Sequence, residues 1–90
     1  MRVALFAKDK PGALQIRLDN REAHLAHIEA SGIVEMAGPL LDESGEMCGS
    51  LIVLEVTELS QAQDFVDNDP YGTAGLFQSV TLDTWKKVIG

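Results

Sequence analysis

Apolar residues along the chain follow two kinds of spacing, which together predict the order of its elements. Short apolar runs bounded by turn residues predict four strands, at residues 3–7, 33–41, 50–56 and 79–89. Apolar positions at helical spacing predict a helix after the first strand, and a second helix that begins at a Thr57 or Ser60 cap and ends near Asp67. This βαββαβ order predicts an α+β fold of the ferredoxin-like type, with one antiparallel sheet and two helices on one face.

Capping signals predict the limits of the first helix. Asp19 and Glu22 have the spacing of a capping box, which places the helix start at Asp19, and Ser31-Gly32 marks its end. Residues 13–18 are then either a short helical turn or an irregular lead-in. His24 falls in the first turns of a helix with these limits, where the positive end of the helix dipole favours an uncharged ring that can accept a proton.

The central strands carry apolar residues on both faces. In the third strand, Leu51 and Val53 point to one face, and Ile52 and Leu54 point to the other. Two helices cover only one of these faces, so the other would be an exposed apolar patch. We therefore expect a homodimer, or a higher oligomer, in which the sheets pack face to face. The alternative is that the C-terminal strand and the loop around Met47 fold over that face.

Composition limits the class of protein. Ninety residues are enough for one domain, at residues 1–90, and the net charge of −7 argues against nucleic acid, whose phosphates require clustered Lys and Arg. No stretch approaches the ~20 apolar residues of a membrane helix and no signal peptide is evident, so we expect a cytoplasmic protein that binds no membrane. Cys48 is the single cysteine, which excludes an internal disulfide and favours a bystander thiol.

Two residues of the first helix suggest chemistry. Arg21 and His24 are three positions apart and are therefore neighbours on the helix surface. An imidazole base beside a guanidinium suits a substrate with a carboxylate, enolate or phenolate oxygen. The alternative is a packing histidine and a surface arginine. His27 forms a His-x-x-His pair with His24, but helical zinc pairs are usually four apart, so we expect no metal site.

Asp69 precedes a proline in the segment DNDPYG, and this position has two interpretations. A residue before proline is pushed out of the helical conformation, and an aspartate there caps the next turn by accepting backbone N–H groups. Negative charge is, however, unfavourable at the C-terminus of the preceding helix, which suggests a functional role for the carboxylate. In the second strand, Gly38-Pro39 indicates an edge or a bulge, a feature that often borders a cleft.

Several short motifs follow one another in order along the chain. They are Arg21-x-x-His24-Leu25, Ala37-Gly38-Pro39-Leu40, Gly49-Ser50, Asp69-Pro70-Tyr71, Ala74-Gly75-Leu76-Phe77 and Trp85. This ordered set spans almost the whole chain and resembles the YciI-like (YCII) family of small proteins. The resemblance implies a dimeric α+β barrel whose active-site histidine and aspartate fall on His24 and Asp69. The family is similar in fold to muconolactone isomerases and small antibiotic-biosynthesis-type monooxygenases, and one member class is a dehydrochlorinase that uses neither metal nor organic cofactor.

Two functions are consistent with these residues. The first is a cofactor-independent acid–base enzyme for elimination, isomerisation or hydrolysis, in which His24 moves a proton and Asp69 orients its ring. Its substrate would be a small anionic compound, aromatic or unsaturated, bound by the substrate-binding residues Arg21, Gly38, Pro39, Ser50 and Tyr71. Within this set, Arg21 would hold the anionic oxygen and Tyr71 would form a wall of the pocket. The second is a non-catalytic dimeric protein that uses the same pocket to bind a small anionic ligand.

Overall fold

The computed structural model describes all 90 residues and contains four strands and three helices. In chain order they are β1 (Arg2–Asp9), α1 (Leu14–Ser31), β2 (Val34–Leu41), β3 (Met47–Glu55), α2 (Leu59–Asp67), α3 (Pro70–Thr73) and β4 (Phe77–Trp85). The strands form one antiparallel sheet in the order β2-β3-β1-β4, and α1 and α2 pack on one face of it. The predicted βαββαβ fold is therefore confirmed, with α3 as an added single turn.

The start of α1 differs from the prediction. The helix begins at Leu14 after Ala13, without a side-chain cap, and ends at Ser31, followed by Gly32, whose φ of 66° is left-handed. Asp19 is not a cap, because it lies inside the helix and its carboxylate accepts a hydrogen bond from the Gln15 side chain at 2.8 Å. Ala13 instead packs in a small buried cluster with Tyr71 of α3 and with Leu76, so tertiary packing holds the first turn. His24 consequently lies in the middle of α1, beyond the reach of the helix dipole's positive end.

Other element limits also differ from the prediction, including the starts of β3 at Met47 and of β4 at Phe77. The cap of α2 is Glu58 and not Thr57 or Ser60, and the Gln61 side chain accepts the backbone N–H groups of Thr57 and Glu58 at 2.7 and 3.2 Å. The last strand ends at Trp85, so the predicted extension to residue 89 is wrong. The predicted end of α2 at Asp67 is confirmed. None of the helices has both the length and the apolar composition that a membrane span requires.

Alternate strand residues separate two faces of the sheet. On the face under the helices, Leu5 of β1 and Ile52 and Leu54 of β3 pack against Ala62 and Phe65 of α2 in one buried cluster. The hydrophobic effect of this burial is the main contribution to the stability of the fold.

The other face has no helix. Phe6 pairs with Leu51 and Met36 pairs with Val53, so these four apolar residues share that face. Phe6 is 40% exposed and Met36 is 53% exposed. Neither segment of the predicted alternative covers this open face, because β4 lies within the sheet beside β1 and Met47 lines a cleft next to α1.

Gly49 of β3 provides a test of how closely β1 and β3 approach. A Cβ at Gly49 would collide with the backbone carbonyl oxygen of Ala7, which has no freedom to move aside. Gly49→Ala is therefore expected to lower the free energy of unfolding by about 1–3 kcal/mol, as overpacking does. Gly38→Ala is the control, because a Cβ there meets no atom within 4 Å, and its effect is expected to stay within about 0.5 kcal/mol. Urea unfolding measures both, and equal stabilities would contradict the close approach.

Candidate functional site

A small cleft opens between α1 and the strands β2 and β3, with a volume of about 160 Å³. This volume is below the ~300 Å³ of a typical drug-sized site, so the cleft suits a compact ligand. Its polar lining consists of Arg17, Arg21, His24, Ser50 and Tyr71. The remaining lining residues are Leu25, Ile28, Ala37, Gly38, Pro39, Met47 and Ile52.

The three polar residues from α1 reach the cleft because of their spacing. Arg17, Arg21 and His24 occupy positions i, i+4 and i+7, which lie on one face of an α-helix. Arg17 and His24 are buried, whereas Arg21 is exposed and takes part in none of the ion pairs of the chain. The cleft therefore has one guanidinium at its edge that is free to pair with an anion.

His24 and Asp69 are in direct contact. His24 Nδ1 lies 2.8 Å from Asp69 Oδ1, and their side chains are only 7% and 2% exposed. An ionised carboxylate accepts and never donates, so Nδ1 carries the proton of this hydrogen bond. His24 Nε2 has no hydrogen-bond partner. Every fully buried side-chain nitrogen and oxygen of the chain is hydrogen-bonded, so Nε2 is not fully buried. Because the His24 ring lines the cleft, Nε2 is open to the cleft. In the neutral ring, Nε2 presents its lone pair there.

Asp69 also caps α3. The same Oδ1 accepts the backbone N–H of Tyr71 at 2.9 Å, and Pro70 occupies the first position of the turn. Two donors therefore fix this carboxylate, one from the backbone and one from His24. The two interpretations of Asp69, a cap and a partner for a functional group, describe the same side chain.

Tyr71 contacts both ends of the cleft. Its ring stacks on the His24 ring at a centroid distance of 3.9 Å and an interplanar angle of 14°. The guanidinium carbon of Arg17 lies 4.7 Å from the centroid of the tyrosine ring. Burial raises the pKa of the Tyr71 phenol, and the charge of Asp69 adds to this, while Arg17 and Arg21 act in the opposite direction. Tyr71 is therefore a neutral phenol at neutral pH and can donate a hydrogen bond.

Arg17 belongs to the site although the sequence patterns assigned it no role. Its Nε and Nη2 donate to the two carboxylate oxygens of Asp9 at 2.8 and 2.9 Å, and Nη2 also donates to Ser50 Oγ at 3.0 Å. Burial alone lowers the pKa of Arg17, but the hydrogen bond and the charge of Asp9 raise it above the ordinary value. The guanidinium is therefore permanently charged and fixes the hydroxyl of Ser50 in the cleft. The signal that could have found Arg17 is its i, i+4, i+7 spacing with Arg21 and His24.

The structure brings all the residues of the predicted site together. Arg21, His24, Gly38, Pro39, Ser50 and Tyr71 line the cleft, and Asp69 lies behind His24. Gly38 contributes its backbone, because it pairs with Leu51 and a side chain there would point to the open face.

The fold and the cleft together define an α+β protein of ferredoxin-like type with a buried His–Asp pair. The chain belongs to the family of the YCII-related domain, whose profile matches residues 1–86, so the resemblance seen in the motifs is confirmed. Protein YciI of Escherichia coli is 34% identical over 97 residues, covering 98% of this chain and 99% of that protein. An uncharacterized protein of Haemophilus influenzae is also 34% identical, with the same coverage.

Solved structures give a second comparison. The 5-chloro-2-hydroxyhydroquinone dehydrochlorinase of Burkholderia phenoliruptrix, in complex with 2,5-dihydroxybenzoquinone, is 36% identical and superimposes with a TM-score of 0.87. The match covers 96% of this chain and 94% of that one. An antibiotic biosynthesis monooxygenase is 13% identical with a TM-score of 0.60 over 98% of both chains, which shows a shared fold.

The Asp9–Arg17 ion pair predicts a large loss of stability when one partner is removed. Both side chains are at most 5% exposed, so Asp9→Ala leaves a buried charge without a partner and is expected to cost about 3–5 kcal/mol of unfolding free energy. Asp19→Ala is the control, because it breaks the exposed Gln15–Asp19 hydrogen bond on α1 and is expected to cost less than about 1 kcal/mol. Urea unfolding compares the two variants. Similar losses would mean that the Asp9–Arg17 pair is as well solvated as the surface hydrogen bond.

Proposed function

We propose that this protein is a cofactor-independent acid–base enzyme that acts on a small anionic compound, aromatic or unsaturated, by elimination, isomerisation or hydrolysis. The observation that carries the proposal is the geometry of His24, whose Nδ1 donates to a buried carboxylate while Nε2 is open to the cleft. This is the arrangement of a general base and the group that orients it. Asp69 keeps one ring nitrogen protonated, so the other is available to take a proton from a ligand.

The charges of the cleft support an anionic ligand. Its lining includes Arg17 and Arg21 but no aspartate or glutamate. Arg17 is neutralised by Asp9, whereas Arg21 has no partner and would pair with an anionic oxygen of the ligand. The apolar residues and the Tyr71 ring suit a flat hydrocarbon skeleton, and the hydroxyls of Ser50 and Tyr71 suit oxygen substituents on it.

The dehydrochlorinase of Burkholderia phenoliruptrix suggests the first compound to try. That protein is named for 5-chloro-2-hydroxyhydroquinone, a chlorinated ring with three hydroxyl groups, which fits the ligand class inferred for this cleft. In a loss of HCl from such a ring, one hydroxyl proton moves to the carbon that bears chlorine. A second proton then leaves with chloride, and two hydroxyls become quinone carbonyls without an external oxidant. His24 Nε2 would accept the hydroxyl proton and return it to the ring carbon, as a positioned base does.

Substitutions of the His–Asp pair test the proposal. With 5-chloro-2-hydroxyhydroquinone as probe and chloride release as readout, His24→Ala and Asp69→Asn are each expected to lower turnover by about 10²–10⁴-fold. The double variant is expected to be scarcely slower than the slower single variant, because the two residues act as a unit. Asparagine caps a helix about as well as aspartate, so Asp69→Asn is expected to keep the fold. If chloride release by Asp69→Asn equals that of the wild type, the carboxylate has no catalytic role.

A substitution of Arg21 distinguishes a role in ligand binding from a role in the chemical step. Arg21→Gln is expected to raise KM more than it lowers kcat, because the guanidinium contacts the anionic oxygen in both the ground state and the transition state. Calorimetric titration with 2,5-dihydroxybenzoquinone measures the binding part of this effect directly. A wild-type protein that binds this quinone but turns over no hydroxylated ring compound would support the non-catalytic binding function instead.

We also infer that the chain forms a homodimer through the open face of the sheet. Phe6 and Met36 are exposed there, Leu51 is half-buried and Val53 lies beneath its neighbours, so the protomer leaves apolar side chains on a sheet face without a helix. A second copy would cover it by an isologous contact of the same residues.

Substitutions on the two faces of the sheet distinguish loss of the dimer from loss of the fold. Phe6→Asp places a charge on the open face and is expected to give a folded monomer, because a carboxylate is costly to bury at an interface. Ile52→Asp places the same charge among the buried residues under the helices and is expected to unfold the protomer. Sedimentation and circular dichroism separate the two results. A wild-type monomer at micromolar concentration would contradict the dimer.

A further inference from the structure

The geometry points to His27 as a positioning residue, which holds Asp69 in place for His24 by occupying a backbone acceptor that Asp69 vacates. His27 does not line the cleft, and the site described above assigns it no role. The inference rests on the proposed function only in that Asp69 orients His24. It concerns how the protein fixes the carboxylate, which can be measured without a substrate.

The acceptor is the carbonyl of Phe65, near the end of α2. In a continuing α-helix this oxygen would accept the N–H of the residue four positions later, which is Asp69. Asp69 precedes Pro70 and is therefore kept out of the helix, at φ −68° and ψ 124°. Its N–H bonds to the carbonyl of Val66 at 3.2 Å instead. The chain thus leaves α2 at Asn68, whose φ of −102° and ψ of 0° set the direction of the Asp69 N–H, and the Phe65 carbonyl is left without its helical partner.

His27 supplies the missing donor from α1. Its Nε2 lies 2.9 Å from the Phe65 oxygen, and its ring stacks on the Phe65 ring at 4.5 Å. A carbonyl only accepts, so Nε2 of His27 carries a proton. The preceding carbonyl, that of Asp64, is satisfied locally by the backbone and side-chain N–H groups of Asn68 at 3.1 and 2.8 Å. Of these two carbonyls, that of Phe65 is the one whose hydrogen-bond donor comes from α1.

The two histidines therefore hold both sides of one turn. His24 and His27 are three positions apart on α1, and they bond to the Asp69 carboxylate and to the Phe65 carbonyl. Without His27, the Asp69 N–H can return to the Phe65 carbonyl, because an unpaired carbonyl in a partly buried position is unfavourable. This shift would move the carboxylate away from His24. The arrangement also requires opposite tautomers, with the proton on Nδ1 in His24 and on Nε2 in His27.

Long-range proton–nitrogen NMR spectra of the free protein test this arrangement, because they report which ring nitrogen carries the proton. At about pH 8.5, where an ordinary histidine is neutral, the wild type is expected to show opposite tautomers at the two rings. His27→Phe keeps a ring on Phe65 but removes the donor, and His24 is expected to change from one tautomer to a mixture. His27→Gln restores an N–H at a similar reach, and His24 is expected to return to the Nδ1–H form.

Ala62→Gly is the control for loss of stability, because it weakens α2 at a buried position one turn before Phe65 and removes no donor to the Phe65 carbonyl. This variant is expected to keep His24 in the Nδ1–H form. If His24 keeps the single Nδ1–H tautomer in His27→Phe, the inference is wrong. It is also wrong if His24 shows a mixture of tautomers in a folded His27→Gln. If His27→Phe does not fold, the wild-type spectrum decides, because a His27 proton on Nδ1 excludes the bond to Phe65. A wild-type His24 without the Nδ1 proton would overturn the proposed function as well, whereas absent turnover alone would leave these spectra unaffected.

Discussion

The hydrogen bond between His24 and Asp69 is the interaction on which the arrangement of the site depends. It joins α1 to the turn between α2 and α3 across 45 residues of chain, and both side chains are buried. A hydrogen bond to a charged group contributes about 1.5–3 kcal/mol, a large share of the 5–15 kcal/mol by which small domains are stable. The same hydrogen bond therefore holds the turn in place and determines that Nδ1 of the His24 ring carries the proton.

The cleft has two electrically distinct ends. At one end, the carboxylate of Asp69 faces an imidazole, and at the other end the carboxylate of Asp9 neutralises Arg17. Tyr71 touches both, with its ring stacked on His24 and beside the guanidinium of Arg17. Each carboxylate is thus shielded behind a basic side chain, so a ligand meets donors and a ring nitrogen and no negative charge. An acidic protein can in this way offer an anion a favourable site.

Local sequence patterns predicted what depends on neighbours along the chain. Alternation and helical spacing predicted the element order, whereas the roles of His24 and Asp69, which are 45 residues apart, followed from the family resemblance of the ordered motifs. The start of α1 was missed because the Asp19-x-x-Glu22 pattern imitates a cap, whereas packing of Ala13 under α3 decides where the helix begins. Arg17 was missed because its partners, Asp9 and Ser50, come from two different strands. A pairing of this kind exists only once the sheet has formed, so the helical spacing of Arg17 with Arg21 and His24 indicates a shared helix face but not these partners.

The alternation in β3 has a consequence for how such proteins can change in length. Ser50 and Ile52 point to the cleft, and the residues between and after them, Leu51 and Val53, point to the open face. An inserted or deleted residue within β3 would exchange these two sets, because side chains alternate with a period of two. The alignment with Protein YciI spans 97 positions against 90 residues in this chain, so it contains gaps. Connections such as residues 42–46 can accommodate differences in length. A change of one residue within β3 would instead exchange the residues that face the cleft with those that face the open side.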